Sequence, residues 1–212
     1  IRPRDWSSDV CSSDLPSRLD EGHGLSGAAV DRAAALGAGV IVTVDTGSSS
    51  VAEVAAANAR GIDVLITDHH RVPPVTPAAL ALVNPHRPDS RYPERSLAGS
   101  GVAFKLAQLL LDGEPDGATA AMELADLATI GTVADVAPVL GENRAIARLG
   151  LDLLRTAPRP ALAALLGRSG TAGTPPDLET VSFVLAPRLN AAGRVGEALD
   201  AARLLLADDP AE

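Results

Sequence analysis

The chain has 212 residues and carries 18 Lys+Arg against 27 Asp+Glu, a formal charge of −9, and its length fits one domain or a domain and a fragment. With 46% hydrophobic and 21% charged residues, it lies outside the compositions that stay disordered, and its four aromatics (Trp6, Tyr92, Phe104, Phe183) exclude a surface that grips single strands mainly by stacking bases. The acidic balance excludes adhesion to a polyanion over the whole surface, yet suits a site for a hard divalent cation.

Residues 1–15 read IRPRDWSSDVCSSDL, a block that holds the only Trp and Cys, repeats Ser-Ser-Asp and shows no apolar periodicity. It reads as a foreign scar or a disordered tail, and the native sequence is expected to enter near Pro16. A single cysteine cannot form an internal disulfide, no secretory signal is visible, and apolar runs such as that from Ala78 to Val83 fall far short of the ~20 residues that cross a bilayer. A reducing cytoplasm is the expected setting.

From Leu25 to Leu36 the apolar spacing is helical, and Gly37-Ala38-Gly39 supplies a stop. Val40 to Val44 form a continuous β-branched run ending at Asp45, as a strand covered on both faces would. Ser48 to Ser50 offer caps to a helix through Arg60, closed by Gly61, and a second strand runs from Val64 to Thr67 into Asp68-His69-His70. Leu80 to Val83 is a further strand, entering the Asn84-Pro85-His86 turn. Beyond Pro93 the pattern predicts helices over 101–111, 118–132, 144–154, 160–166, 180–185 and 198–206, with a linker between Gly167 and Pro176. The fold class expected is α/β, a parallel sheet flanked by helices and followed by a helical continuation.

Ligands of parallel α/β sheets bind beyond the carboxyl ends of the strands, and two polar clusters fall there: Asp45 in VTVDTG and Asp68-His69-His70 in LITDHH. Alone, an Asp at a strand end such as Asp45 reads as a helix cap or turn former. Two histidines behind an aspartate at the next strand end are harder to explain structurally, because imidazole and carboxylate from neighbouring strands can share a divalent ion. A third carboxylate, Asp135 in IGTVADVAP, has apolar neighbours and either binds metal, pairs, or caps the next helix.

VDTG, DHH and GTVADV, in that order, resemble the second, third and fourth signature motifs of the DHH phosphoesterase superfamily. RLDEGHGLS near Arg18, NPHRPD at Asn84, LAGSGVAFKLAQ at Leu97, GTVADVAPVLGENR at Gly131 and LAPRLNAAGR at Leu185 resemble its branch of single-strand-specific exonucleases. The likeness runs from about Ser17 to Asp209. It implies a two-metal phosphodiesterase, dependent on Mn2+ or Mg2+, that removes nucleotides from the 5′ end of single-stranded DNA in repair and recombination, alongside repair or replication proteins. Under the resemblance Asp45 bridges two ions, His69 and Asp135 complete the shell of the second, His70 faces the scissile phosphate and Asp68 orients the histidines. Arg18, Arg188, Asn190 and Arg194 are the candidate DNA contacts, although either of the last two arginines could instead serve a helix end or pair with Glu197, and Asn190 could form a turn. Lys105, the only lysine, reads as a solvated helix residue.

The family's first motif, of the form DxDADG, is expected before RLDEGHG and occurs nowhere in the sequence. The DHH-associated C-terminal domain is likewise expected but absent. On this reading residues 16–212 are a partial domain with half a metal site, inactive or nearly so alone, with an exposed sheet edge. The competing readings are a family member acting on short oligonucleotides, cyclic dinucleotides or pyrophosphate, and a non-catalytic scaffold.

Overall fold

The structure, a computed structural model, describes residues 15, 24–170, 173–195 and 198–207. From residue 24 onward the described residues fall into two compact units, those within 24–150 and those within 151–207.

In the first unit, α1 (Gly27–Ala35) starts where the Ser26 hydroxyl accepts the Ala29 N–H at 3.1 Å, satisfying a donor that the helix itself leaves free. It ends at Leu36 before Gly37, whose φ of 72° only glycine adopts cheaply. Strand β1 (Val40–Val44), helix α2 (Val51–Asn58), strand β2 (Asp63–Thr67) and strand β3 (Ala81–Val83) follow. The strands pair in parallel in the order β1-β2-β3, with Thr43 opposite Ile66 and Ile66 opposite Leu82.

This register sorts the side chains. Ile41, Val64, Ile66 and Leu82 point to one face and meet Val30 of α1 and Val54 and Ala57 of α2. Each fully buried Val or Ile contributes about 1.5–3 kcal/mol there.

The other face departs from the expectation of a sheet covered on both sides. Val40, Val42 and Val44 are 49%, 48% and 52% exposed. Near its carboxyl end, Thr67 and Val83 look across a cavity of about 440 Å³ to Leu97, Val102 and Leu106. Helices α1 and α2 both pack on the first face, so the β-branched run of β1 reflects strand propensity as much as burial. Among the described residues β1 is an edge strand, as the sequence led one to expect.

Helices α3 (Gly99–Leu110), α4 (Gly117–Met122), α5 (Ala125–Ala134) and the first part of α6 (Gly141–Thr156) complete this unit. The single helix expected over 118–132 is two. The break carries no Gly or Pro, but Asp126 Oδ1 accepts the Leu127 N–H at 2.7 Å, so a buried carboxylate in the first turn of α5 favours a new N-terminus. Nor is Lys105 merely solvated: its Nζ lies 3.0 Å from Glu142 Oε1, and the Tyr92 hydroxyl donates to the same carboxylate.

The second unit contains α7 (Pro160–Gly167), a single turn α8 (Leu178–Thr180), a π-helical turn (Val181–Leu185), α9 (Ala186–Val195) and α10 (Ala198–Leu206). Asp177 caps α8 by accepting the Thr180 N–H at 2.8 Å, while Leu162, Val181 and Leu185 are fully buried. Helix α9 is not evident from the sequence, because Pro187 and Gly193 interrupt its pattern. Proline is tolerated in a first turn, and the wide turn before it, where Ala186 N–H bonds Val181 O, accommodates the ring. No described helix is long and apolar enough to cross a membrane.

Candidate metal centre

Strand β1 delivers Asp45 at its carboxyl end in a left-handed conformation, φ 62°, that costs a non-glycine residue about 1–2 kcal/mol. The turn is closed tightly. Thr43 Oγ1 donates to Thr46 O at 2.7 Å, and a Cβ on Gly47, φ 111°, would stand 2.7 Å from that hydroxyl. A strained aspartate at the mouth of a parallel sheet is where a functional role is to be sought.

Strand β2 delivers the DHH triplet one strand over. Asp68 is 2% exposed and its carboxylate is fully engaged. Oδ2 accepts from Ser48 N at 2.9 Å, and Oδ1 from His69 N at 2.8 Å and His70 N at 3.1 Å, with His70 Nδ1 also at 2.8 Å. Burial raises its pKa, but the His70 and Ser48 hydrogen bonds outweigh burial and leave the carboxyl at about 2. Asp68 is therefore a permanent anion that fixes the loop and the His70 tautomer.

Asn84, 4% exposed, ties the same loop together. Its Nδ2 donates to Ser48 Oγ and to His70 O, both at 2.9 Å, and its Oδ1 accepts from His86 N at 2.8 Å. Sequence reasoning recognised the Asn84 segment as a motif but not this role. The only available signal was an Asn directly after a strand, where its side chain readily bonds nearby backbone.

His69 lies between two carboxylates. Its Nε2 is 3.0 Å from Asp45 Oδ1 and its Nδ1 is 3.8 Å from Asp135 Oδ2. Asp135, which could have capped a following helix, instead ends α5 as its C-cap residue. Contact with Asp45 raises the His69 pKa, burial lowers it, and the charges of Asp45, Asp135 and Asp68 add to the rise. Nε2 is nonetheless buried without a hydrogen-bond partner, so the nitrogen and the facing carboxylate oxygen converge without a properly directed bond between them. Ligand atoms of Asp45, His69 and His70 lie within 4.8 Å of one another, while Asp135 approaches from the other ring nitrogen. The His69 and His70 rings sit 4.6 Å apart, tilted by 56°. Oxygen and imidazole donors gathered around an orphaned nitrogen fit a divalent cation such as Mn2+.

The remaining described candidates belong to the second unit. Arg188, Asn190 and Arg194 are exposed residues of α9 in the second unit. Arg188 Nη1 donates to Val184 O at 2.8 Å, and Asn190, within a helix, is not a turn former. Arg18 lies outside the described residues.

Comparison with known proteins places this geometry in context. The profile of the DHH family, N-terminal domain, matches residues 5–132. The single-stranded-DNA-specific exonuclease RecJ of Bacillus subtilis is 46% identical over 93% of this chain, which corresponds to 24% of that protein. A crystal structure of exonuclease RecJ bound to manganese superposes with a TM-score of 0.75 at 36% identity, covering 93% of this chain and 49% of that one. RecJ of Thermus thermophilus in complex with Mn2+ gives a TM-score of 0.71 at 37% identity, covering 87% of this chain and 27% of that one. The chain thus spans about a quarter to a half of the proteins named. With the profile covering more than half of its residues, and with VDTG, DHH and GTVADV supplying the side chains that meet around His69, the chain belongs to the DHH family.

Proposed function

We propose that this chain is the metal-binding part of a single-strand-specific 5′ to 3′ exonuclease of the RecJ type, cytoplasmic, serving DNA repair and recombination beside other repair or replication proteins. The observation that carries the reading is the line Asp45, His69, Asp135, with a buried, unpartnered imidazole nitrogen at its centre. That RecJ structures of similar fold hold manganese supports the choice of ion, Mn2+ or Mg2+.

Asp45 and His69 would hold the cation, with Asp135 completing the negative surroundings. Such a cation would supply acidification of water and neutralisation of charge on a phosphodiester. His70 has a different task. Its Nδ1 is engaged by Asp68 and its side chain is 63% exposed, so Nε2 is presented to solvent, where it can bond a phosphate oxygen. Asp68, anionic at every physiological pH, keeps that ring oriented without binding metal. Arg188, Arg194 and Asn190 of α9 are proposed backbone contacts for the DNA, the arginines through planar, paired N–H groups, and Arg18 joins them from the sequence likeness alone.

No DxDADG segment exists in the 212 residues to supply carboxylates for another ion, so the chain alone is expected to release 5′ mononucleotides slowly or not at all. Calorimetric titration of Mn2+ into the chain tests the site. Heat of binding that disappears in His69→Ala supports it, and heat unchanged by that substitution overturns it.

A further inference from the structure

We propose that Gly99 is a positioning residue of the metal centre: the absence of a side chain at the first position of α3 is what lets the Asp45 carboxylate sit against that helix and face His69. The inference rests on the metal-centre reading above. A Cβ built on Gly99 would overlap Oδ1 and Cγ of Asp45 and stand 2.7 Å from its Cβ, closer than real contacts allow.

Backbone conformation does not demand this glycine, since Gly99 is not among the residues with positive φ. Helix propensity argues against it, because alanine is better by about 1 kcal/mol in a helix interior. What remains is room.

Rotation of the half-exposed Asp45 side chain does not relieve the overlap, because its own Cβ stands 2.7 Å from the added atom and its backbone is held in the closed VDTG turn at φ 62°. Helix α3 cannot retreat either, because its start is buried at Leu97, Ala98 and Gly99. A Cβ on Gly131 of α5 would collide with Ser100, whose hydroxyl already donates to Ala128 O at 3.2 Å. Helix α5 ends in Asp135, so this close α3–α5 contact also bears on the second carboxylate beside His69.

The test compares Gly99→Ala with Gly101→Ala, two residues on in the same helix, where the new Cβ meets no atom of Asp45 and approaches only the Leu97 side chain, most closely its terminal Cδ2 at 3.1 Å. Mn2+ affinity is read by calorimetry, and the melting temperature of each variant is read in EDTA. Gly99→Ala is expected to weaken Mn2+ binding by about 10- to 100-fold, the usual effect of disturbing a ligand's support, while Gly101→Ala binds as the unsubstituted chain does. Any loss of metal-free melting temperature caused by Gly99→Ala is expected to vanish when it is made in an Asp45→Gly background, which removes the atoms the new methyl meets. Mn2+ binding by Gly99→Ala equal to that of the parent, an equal loss in Gly101→Ala, or a melting loss that persists in the Asp45→Gly background would each overturn the proposal. If the unsubstituted chain takes up no Mn2+, the metal-centre reading falls and this inference with it. Uptake by the parent that Gly99→Ala leaves unchanged removes this inference alone.

Discussion

Asp68 is a buried carboxylate that ties the DHH loop to the turn after β1. Its native pKa of about 2 lies below the ordinary value of 3.8, so ionised Asp68 contributes stability that is fully present above pH 4 and is lost as pH falls towards 2. The contribution is about 2 kcal/mol. Urea unfolding of Asp68→Asn is expected to show that loss at neutral pH, together with a flatter stability profile between pH 4 and 2 than the parent. An equally steep profile in the variant would mean that the acid response comes from other carboxylates. Asp135 offers the contrast. At 43% exposed it has no comparable anchoring in hydrogen bonds, so its role depends on what His69 binds.

Among the elements, the three strands and the helices α1, α2, α3, α6, α7 and α10 were legible in the sequence, because a run of β-branched residues or an apolar period of 3.6 dominates each. The Asp45 and DHH positions were legible for a related reason, since strand ends are where such a sheet binds ligands. What was hidden depended on contacts that no local pattern carries. The α4–α5 break hangs on a buried aspartate, α9 on a wide turn that absorbs Pro187, and the loop behind DHH on the amide of Asn84. The half-bare face of β1 was hidden too, because valine is chosen for strand propensity as well as for burial. Its alternation supplies a test within one pair of strands. Ile66→Ala, at a fully buried position, is expected to cost about 2–5 kcal/mol, whereas Val42→Thr, at a half-exposed one, is expected to stay within about 0.5 kcal/mol. Denaturant midpoints with unchanged m-values would measure both, and similar losses at the two positions would show that the β1 face is packed in solution.

At the scale of the whole molecule, a net charge of −9 must be reconciled with the proposed polyanionic substrate, and the arginines proposed to contact it would supply the local cations. Arg194→Ala in the intact parent protein is expected to weaken single-stranded DNA binding across all sequences and to lower the salt dependence by about one counterion. Nitrocellulose-filter binding over a salt series reads the slope, and a slope that does not move would remove Arg194 from the interface. Global stability carries a mark of the site as well. The left-handed backbone of Asp45 is a standing charge on folding that glycine would relieve, so Asp45→Gly is expected to raise the metal-free melting temperature while abolishing the response to Mn2+. A breeder selecting this protein for heat resistance alone, with no assay for metal uptake, would therefore be led to discard the residue proposed to hold the ion.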